Sequence, residues 1–241
     1  MQDPLHQFVI SPIFKICVGG MDLSFTNSSL AVFTAVAAAF ALLALGLRNG
    51  RLVPNRLQAL VEASYEFITN MIDSNIGKEG RRYFPFVFSI FIFILFGNSI
   101  GLVPHMFTFT SHIIATFTLA SIVFLFITFL GIALHGFHFF NLFAPSGVPK
   151  LLLPILVPVE MMSYLARPVS LSIRLFANMM AGHTMIKIFA GFAAALGIFC
   201  GLAPIAVDAL VLCLETIIAF LQAYIFATLT CVYINDVVHL H

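Results

Sequence analysis

Charge is what this sequence has least of. Eleven Lys or Arg and ten Asp or Glu make up 9% of the 241 residues, where an ordinary soluble domain carries about 25%. Between Arg82 and Lys150 there are 67 consecutive positions without any of the four, and such a stretch cannot furnish the surface of a water-facing domain. A formal net charge of +1 provides no basic field for a polyanion, which excludes nucleic acid as a partner. Cysteine is scarce too. Cys17, Cys200, Cys213 and Cys231 stand far apart in apolar surroundings without CxxC or metal-finger spacing, so they are read as packing residues, and neither a metal nor a cofactor is expected. The chain has no GxxxxGK[ST] loop, no HExxH and no Gly-x-Ser-x-Gly elbow, so any nucleotide chemistry belongs to other chains. The first 26 residues hold one Lys against two Asp and lack the basic start and cleavage site of a removable signal peptide. No internal repeat is visible, which leaves an inverted-repeat transporter without direct support.

What is abundant is apolar, at 61% of the chain, and its run lengths predict an all-α polytopic membrane protein. Thr26 to Leu47 is an uncharged segment of 22 residues, which at about 1.5 Å per residue covers the roughly 30 Å hydrocarbon core. The next segment, residues 51–82, mixes Leu57, Leu60, Val61, Phe67, Ile68 and Ile72 with Glu62, Glu66 and Asp73 at spacings of three, four and seven. That pattern predicts an amphipathic helix on the membrane surface, started near Pro54. Tyr83 to Val103, closed by Pro104, and His112 to Gly136 are the second and third spans, within residues 83–136. A Pro- and Gly-containing loop, Asn141 to Pro149, follows. Arg48, Arg51, Arg56, Lys78, Arg81 and Arg82 lie in the first connection against only Lys15 before the first helix, which puts that connection in the cytoplasm and residues 1–25 outside. A single membrane domain, 1–241, is expected.

Residues 151–236 differ in kind. The 51 residues from Leu151 to Gly201 would make a helix of about 76 Å, more than twice the bilayer, so this run must break, bend or tilt. Pro154, Pro158, Pro168 and Gly182 are the candidate places. After Pro204 a final run to Asn235 is again too long to stand upright, and two long tilted helices forming a hairpin are expected. Both carry polar stripes. Glu160, Arg167 and Arg174 are spaced seven apart, as are Asp208, Glu215 and Gln222 with Asp236 two steps further; seven residues return to within about 20° of one helix face. Ser170, Arg174 and Asn178 form a ladder about one Arg. A charge at mid-membrane costs roughly 2.5–3.5 kcal/mol on insertion scales, so such groups face a partner, a cavity or a transported ion. One reading is a buried ion pair of Arg174 with Glu160 or Glu215 that packs the hairpin. The number and order of acids, amides, His and Arg favour the other, a hydrophilic path for protons in which Arg, with a pKa above 12, acts as a fixed charge.

The segment Arg167-Pro168-Val169-Ser170-Leu171-Ser172-Ile173-Arg174-Leu175-Phe176-Ala177-Asn178-Met179-Met180-Ala181-Gly182-His183, followed by Leu221-Gln222-Ala223-Tyr224-Ile225-Phe226, resembles the a subunit of the F-type ATP synthase membrane sector. The resemblance extends to Phe96-Gly97-Asn98-Ser99-Ile100-Gly101-Leu102-Val103-Pro104 and covers most of the chain from residue 26 onward. It implies a non-catalytic stator subunit beside a ring of c subunits, held with peripheral-stalk b subunits and the rest of the synthase. It also implies two offset aqueous half-channels separated by one essential Arg, which falls on Arg174. By the same resemblance Asn178 and Gln222 flank that Arg, and Ser170 and Glu160 match polar positions of one half-channel; Asp208, on the stripe with Glu215, is counted with the proton path. His183 and Glu215 are an acid and a His exchanged relative to many bacterial members, an arrangement resembling mitochondrial ones. A bacterial inner membrane is the expected location, with a mitochondrial inner membrane as alternative, the N-terminus outside and the C-terminus cytoplasmic.

Other features point elsewhere more weakly. His135 and His138 at i, i+3 suggest a metal or haem pair but have no Cys or carboxylate company. His105 and His112 bracket an outer loop, and Gly197 and Gly201 form a GxxxG common in helices rich in small residues. A proton-coupled secondary transporter and a haem-binding anchor of a redox complex are the functional alternatives.

Overall fold

The computed structural model describes residues 10–15, 17–18, 21–22, 24–48, 50, 52–103, 106–136, 139 and 153–239. Pro104, His105, His138, Arg51, the loop Asn141 to Pro149 and Lys150 lie outside the described residues, as do the side chains of Gly197 and Cys200. Four short strands come first: β1 (Pro12–Phe14), β2 (Cys17–Val18), β3 (Met21–Asp22) and β4 (Phe25–Thr26). β1 pairs antiparallel with β4 and β2 with β3. Strands of two or three residues are too short for alternation to register in a sequence.

Helices make up the rest. α1 (Asn27–Leu47) starts where the Thr26 hydroxyl accepts from the Ser29 N–H at 3.3 Å, a side-chain N-cap. α2 (Arg56–Asn75) buries Gln58, Val61, Ile68, Met71 and Ile72, the three-, four- and seven-residue spacing of one helix face. It ends earlier than the amphipathic pattern suggested. Gly77 takes φ +87°, and a 3-10 turn, Lys78–Tyr83, follows. This turn is tied back by a two-pronged bond from Arg81 to Asp73, at 2.9 and 2.6 Å, and the Arg81 guanidinium holds the Asp73 carboxyl below its ordinary range. α3 (Phe84–Gly101) and α4 (Ile113–His135) follow, joined through a 3-10 turn at Phe109–Ser111. α4 stops at Gly136, whose φ of +55° only glycine adopts readily. α5 (Leu153–Cys200) and α6 (Leu202–Val238) complete the chain.

Five helices are long and apolar enough to cross a membrane, as the run lengths required. α5 keeps its length without a break. It is one continuous helix of 48 residues with Pro158 and Pro168 inside it, about 72 Å long. Each proline removes one N–H bond, and the bonds on either side suffice to carry the helix through. Pro154 sits in the first turn, where its missing N–H costs nothing. Among the choices of breaking, bending or tilting, breaking is ruled out.

The core gathers round the C-terminal half of α6. Ala223, Phe226, Ala227, Cys231, Ile234 and Val237 are buried against Ile68 and Ile72 of α2, Val87, Ile90, Phe91 and Ile94 of α3, and Val123 and Ile127 of α4. Lipid provides no hydrophobic drive between helices, so close approach matters more than apolarity. Gly97 meets the Phe109 ring, where a Cβ would lie 2.7 Å from it.

A polar hairpin as candidate functional site

α5 and α6 run antiparallel, and three polar contacts fix their register. Arg167 Nη1 donates to Asp236 Oδ2 at 3.1 Å. Gln222 Nε2 donates, at a long 3.5 Å, to the backbone carbonyl of Arg174. His183 Nε2 lies 3.5 Å from Glu215 Oε1. As the α5 partner climbs from 167 to 183, the α6 partner falls from 236 to 215. The stripes deduced from seven-residue spacing therefore meet one another. Arg167 also lies over the rings of Tyr233, at 4.6 Å, and Tyr164, at 5.4 Å, so that its charge has both an acid and two π-faces.

Arg174 stands apart. Its side chain is exposed, and among the described residues it has no ion pair, so neither Glu160 nor Glu215 neutralises it. It lies on an uncovered face of α5 that continues through Ala177, Ala181, Met185 and Ile188, a helical row at steps of three and four. α6 presents a second such row in Leu210, Leu214, Ile217, Leu221 and Tyr224, each more than a third exposed. The Arg thus sits on an apolar surface with two small side chains beyond it. Asn178, one turn further, is half-buried, and Ser170, one turn earlier, is exposed with its hydroxyl donating to the Arg167 carbonyl at 3.0 Å. Glu160 is half-buried and is separated from His183 by 23 residues, about 35 Å along the helix. It belongs to the opposite end of α5 from the His183–Glu215 pair.

That pair is enclosed. The side chains of His183 and Glu215 are 12% and 3% exposed. Neither carboxylate oxygen of Glu215 makes a hydrogen bond, and the same holds for Asp208 Oδ1, seven residues earlier on the same face of α6. Gly182 makes the room: a Cβ there would meet Glu215 Oε1 at 2.6 Å. α5 continues as helix through Gly182 and His183. From α3, the fully buried Asn98 donates through Nδ2 to the Ala219 carbonyl at 3.4 Å, between Glu215 and Gln222. From the loop between α3 and α4, Thr108 Oγ1 lies 3.0 Å from His183 Nε2. Sequence reasoning missed Thr108, which lies 75 positions away on a loop. The available signal was chemical: an enclosed imidazole needs a partner that fixes its tautomer. The two weaker His readings also change. His135 Nε2 is bonded to the Val237 carbonyl at 2.9 Å, a structural tie between α4 and α6, and His112 stacks on Phe107.

Comparison with known proteins points to one family. The family model for the ATP synthase A chain matches residues 28–235. ATP synthase subunit a of Rhodospirillum rubrum is 49% identical over 241 residues, all of both chains. That of Agrobacterium fabrum is 51% identical over 243 residues, 98% of each, and that of Pelagibacter ubique 49% over 240, covering 99% of this chain and 98% of the other.

Proposed function

The chain belongs to the ATP synthase A-chain family, and from that premise we propose how its polar hairpin serves the rotary machine. It is a membrane protein and a proton-translocating subunit of an F-type ATP synthase. The uncovered faces of α5 and α6 meet the ring of c subunits, and Arg174 confronts each ring carboxylate in turn. At about 4 Å and an effective dielectric near 20, that charge attracts a carboxylate by roughly 4 kcal/mol, or about three pKa units. A carboxylic acid arriving from lipid therefore gives up its proton beside the Arg. It takes another from the second half-channel before returning to lipid. The same charge repels protons that would pass straight across, and at 100 mV each leaked proton would dissipate about 2.3 kcal/mol.

In this reading His183, Glu215 and Asp208 line the outer half-channel, while Ser170 and Glu160 line the inner one. Asn178 and Gln222 hold the surroundings of Arg174. The peripheral-stalk b subunits anchor the single membrane domain, residues 1–241, so that it resists the torque of the ring. Residues 1–25 lie outside and the C-terminus in the cytoplasm of a bacterium. The observation that carries the proposal is an exposed, unpaired guanidinium on an apolar helix face, flanked within the hairpin by an enclosed acid and imidazole. Such a charge is costly in a membrane unless a partner from outside the chain supplies the countercharge.

The test is Arg174→Ala in the assembled synthase. Coupled ATP synthesis and ATP-driven proton pumping should be abolished, assembly with the c ring retained, and passive proton leak through the membrane sector increased. Lys should rescue poorly, because an ammonium lacks the planar fork of donors. Coupled synthesis near the wild-type rate in the Ala variant would falsify the role.

A further inference from the structure

We infer that Thr108 is a positioning residue for proton transfer, fixing His183 in the tautomer that keeps its hydrogen on Nε2, the nitrogen 3.5 Å from Glu215 Oε1, and its lone pair on Nδ1. The inference deepens the reading that His183 and Glu215 line a half-channel and rests on that reading for its functional part.

The argument is one of hydrogen accounting. Thr108 Oγ1 donates its single proton to the backbone carbonyl of Gly101 at 3.2 Å. A hydroxyl has one hydrogen and two lone pairs. With that hydrogen committed, the 3.0 Å contact to His183 Nε2 can only be one that Thr108 accepts, so Nε2 carries a hydrogen. Nδ1 of the neutral ring is then the acceptor, and no hydrogen bond to it is present among the described residues. The Thr108 side chain is built into place. It is 5% exposed, and a Cβ on Gly101 would come within 2.6 Å of it, so only glycine lets the hydroxyl reach that carbonyl. Its own backbone carbonyl accepts from the Ser111 hydroxyl at 2.6 Å, which pins the loop.

This placement gives the ring a direction. Nε2 lies 3.0 Å from Thr108 Oγ1, which takes its hydrogen, and 3.5 Å from Glu215 Oε1. A proton from water can attach only at Nδ1, on the far side of the ring. The imidazolium so formed still has its Nε2 hydrogen on Thr108, and a small turn of the ring that hands this hydrogen to Glu215 Oε1 leaves a neutral ring protonated on Nδ1. The charged groups facing the ring are Glu215 from α6 and Lys187 from its own helix, and Asp208 of α6 acts in turn on Glu215. The loop residues 106–112 contribute His112 as their one titratable side chain. A threonine with its proton held elsewhere is the neutral acceptor that orients the ring without competing for charge.

Thr108→Val keeps the shape and removes the oxygen; Thr108→Ser keeps the oxygen. The first measurement is the nitrogen NMR spectrum of ¹⁵N-histidine-labelled synthase in membranes, with His183 assigned by its loss in His183→Gln. The wild type and Thr108→Ser should show the Nε2–H tautomer, and Thr108→Val a mixture of both. The second is passive proton flow through the membrane sector. Thr108→Val should slow it about 3- to 10-fold, the equivalent of one lost hydrogen bond, Ser should restore it, and in a His183→Gln background the Val substitution should add nothing. An Nδ1–H ring in the wild type, or a tautomer unchanged in Thr108→Val, overturns the inference, as does a Val effect that persists without His183. If His183→Gln alone conducts like the wild type, it is the half-channel reading that fails, and the spectrum still decides the tautomer.

Discussion

At the scale of the residue, the polar hairpin was largely readable before any coordinates, because charge in an apolar helix is rare enough to be conspicuous. A seven-residue repeat marked the stripe on each helix, and the two helices bring part of each stripe together. What the repeat could not reveal was which members pair. Arg167 takes Asp236, leaving Arg174 free, and no spacing distinguishes two arginines on one face. Nor could it reveal that Gly182 is an accommodation for the Glu215 carboxylate, since a space-making glycine looks like any other small residue. If the acid and the imidazole work as a unit, their exchange is tolerated better than the loss of either. Glu215→His alone should impair ATP-driven pumping, and His183→Glu combined with Glu215→His should recover a good part of it, as coupled residues in a double-mutant cycle are non-additive. A double variant that pumps worse than both singles, with losses that simply add, would show that the two side chains act separately.

At the scale of the element, periodicity and run length located the ends of the first three spans to within two residues, as in the first, expected over Thr26–Leu47 and observed as Asn27–Leu47. For α5 the run length left breaking, bending and tilting open, and the helix is unbroken because a proline's penalty is one hydrogen bond and a local bend, whereas a long helix retains dozens of others. The amphipathic helix was extended too far because Lys78, Arg81 and Arg82 continue its polarity through a turn that Gly77 makes by adopting φ +87°. The corner between α1 and α2 depends on closeness rather than polarity. Gly46 faces Val61, where a Cβ would meet Val61 Cγ2 at 2.7 Å and the Leu57 carbonyl at 3.3 Å. Gly46→Leu should therefore wedge the two helices apart at a cost of about 1–3 kcal/mol, read as a lowered thermal midpoint of the purified complex. Adding Val61→Ala should restore part of the loss. Equal midpoints for the wild type and Gly46→Leu would mean that the corner is not packed as described.

At the scale of the whole molecule, burial is strongly lopsided. The C-terminal half of α6 is a hub enclosed by α2, α3 and α4, while its N-terminal half and much of α5 face outward. A chain that needs its outer surface for lipid alone would have no reason to keep Arg174 there. The lopsidedness also bears on orientation. If all five helices that are long and apolar enough to cross do so, the two termini lie on opposite sides, and one labelled site then orients the whole chain. The connection between α1 and α3 holds six basic residues against one before α1, and on that bias we propose that it lies in the cytoplasm. Ser74 is exposed on α2 and Lys15 is exposed beside β1, so a cysteine at either position is accessible without disturbing the core. With the native cysteines replaced, an impermeant maleimide added to intact cells should label Lys15→Cys and spare Ser74→Cys, and inverted membrane vesicles should give the reverse. Labelling of Ser74→Cys from outside intact cells would turn the molecule over, and with it the assignment of the His183–Glu215 pair to the outer half-channel, because that pair lies toward the turn joining α5 to α6.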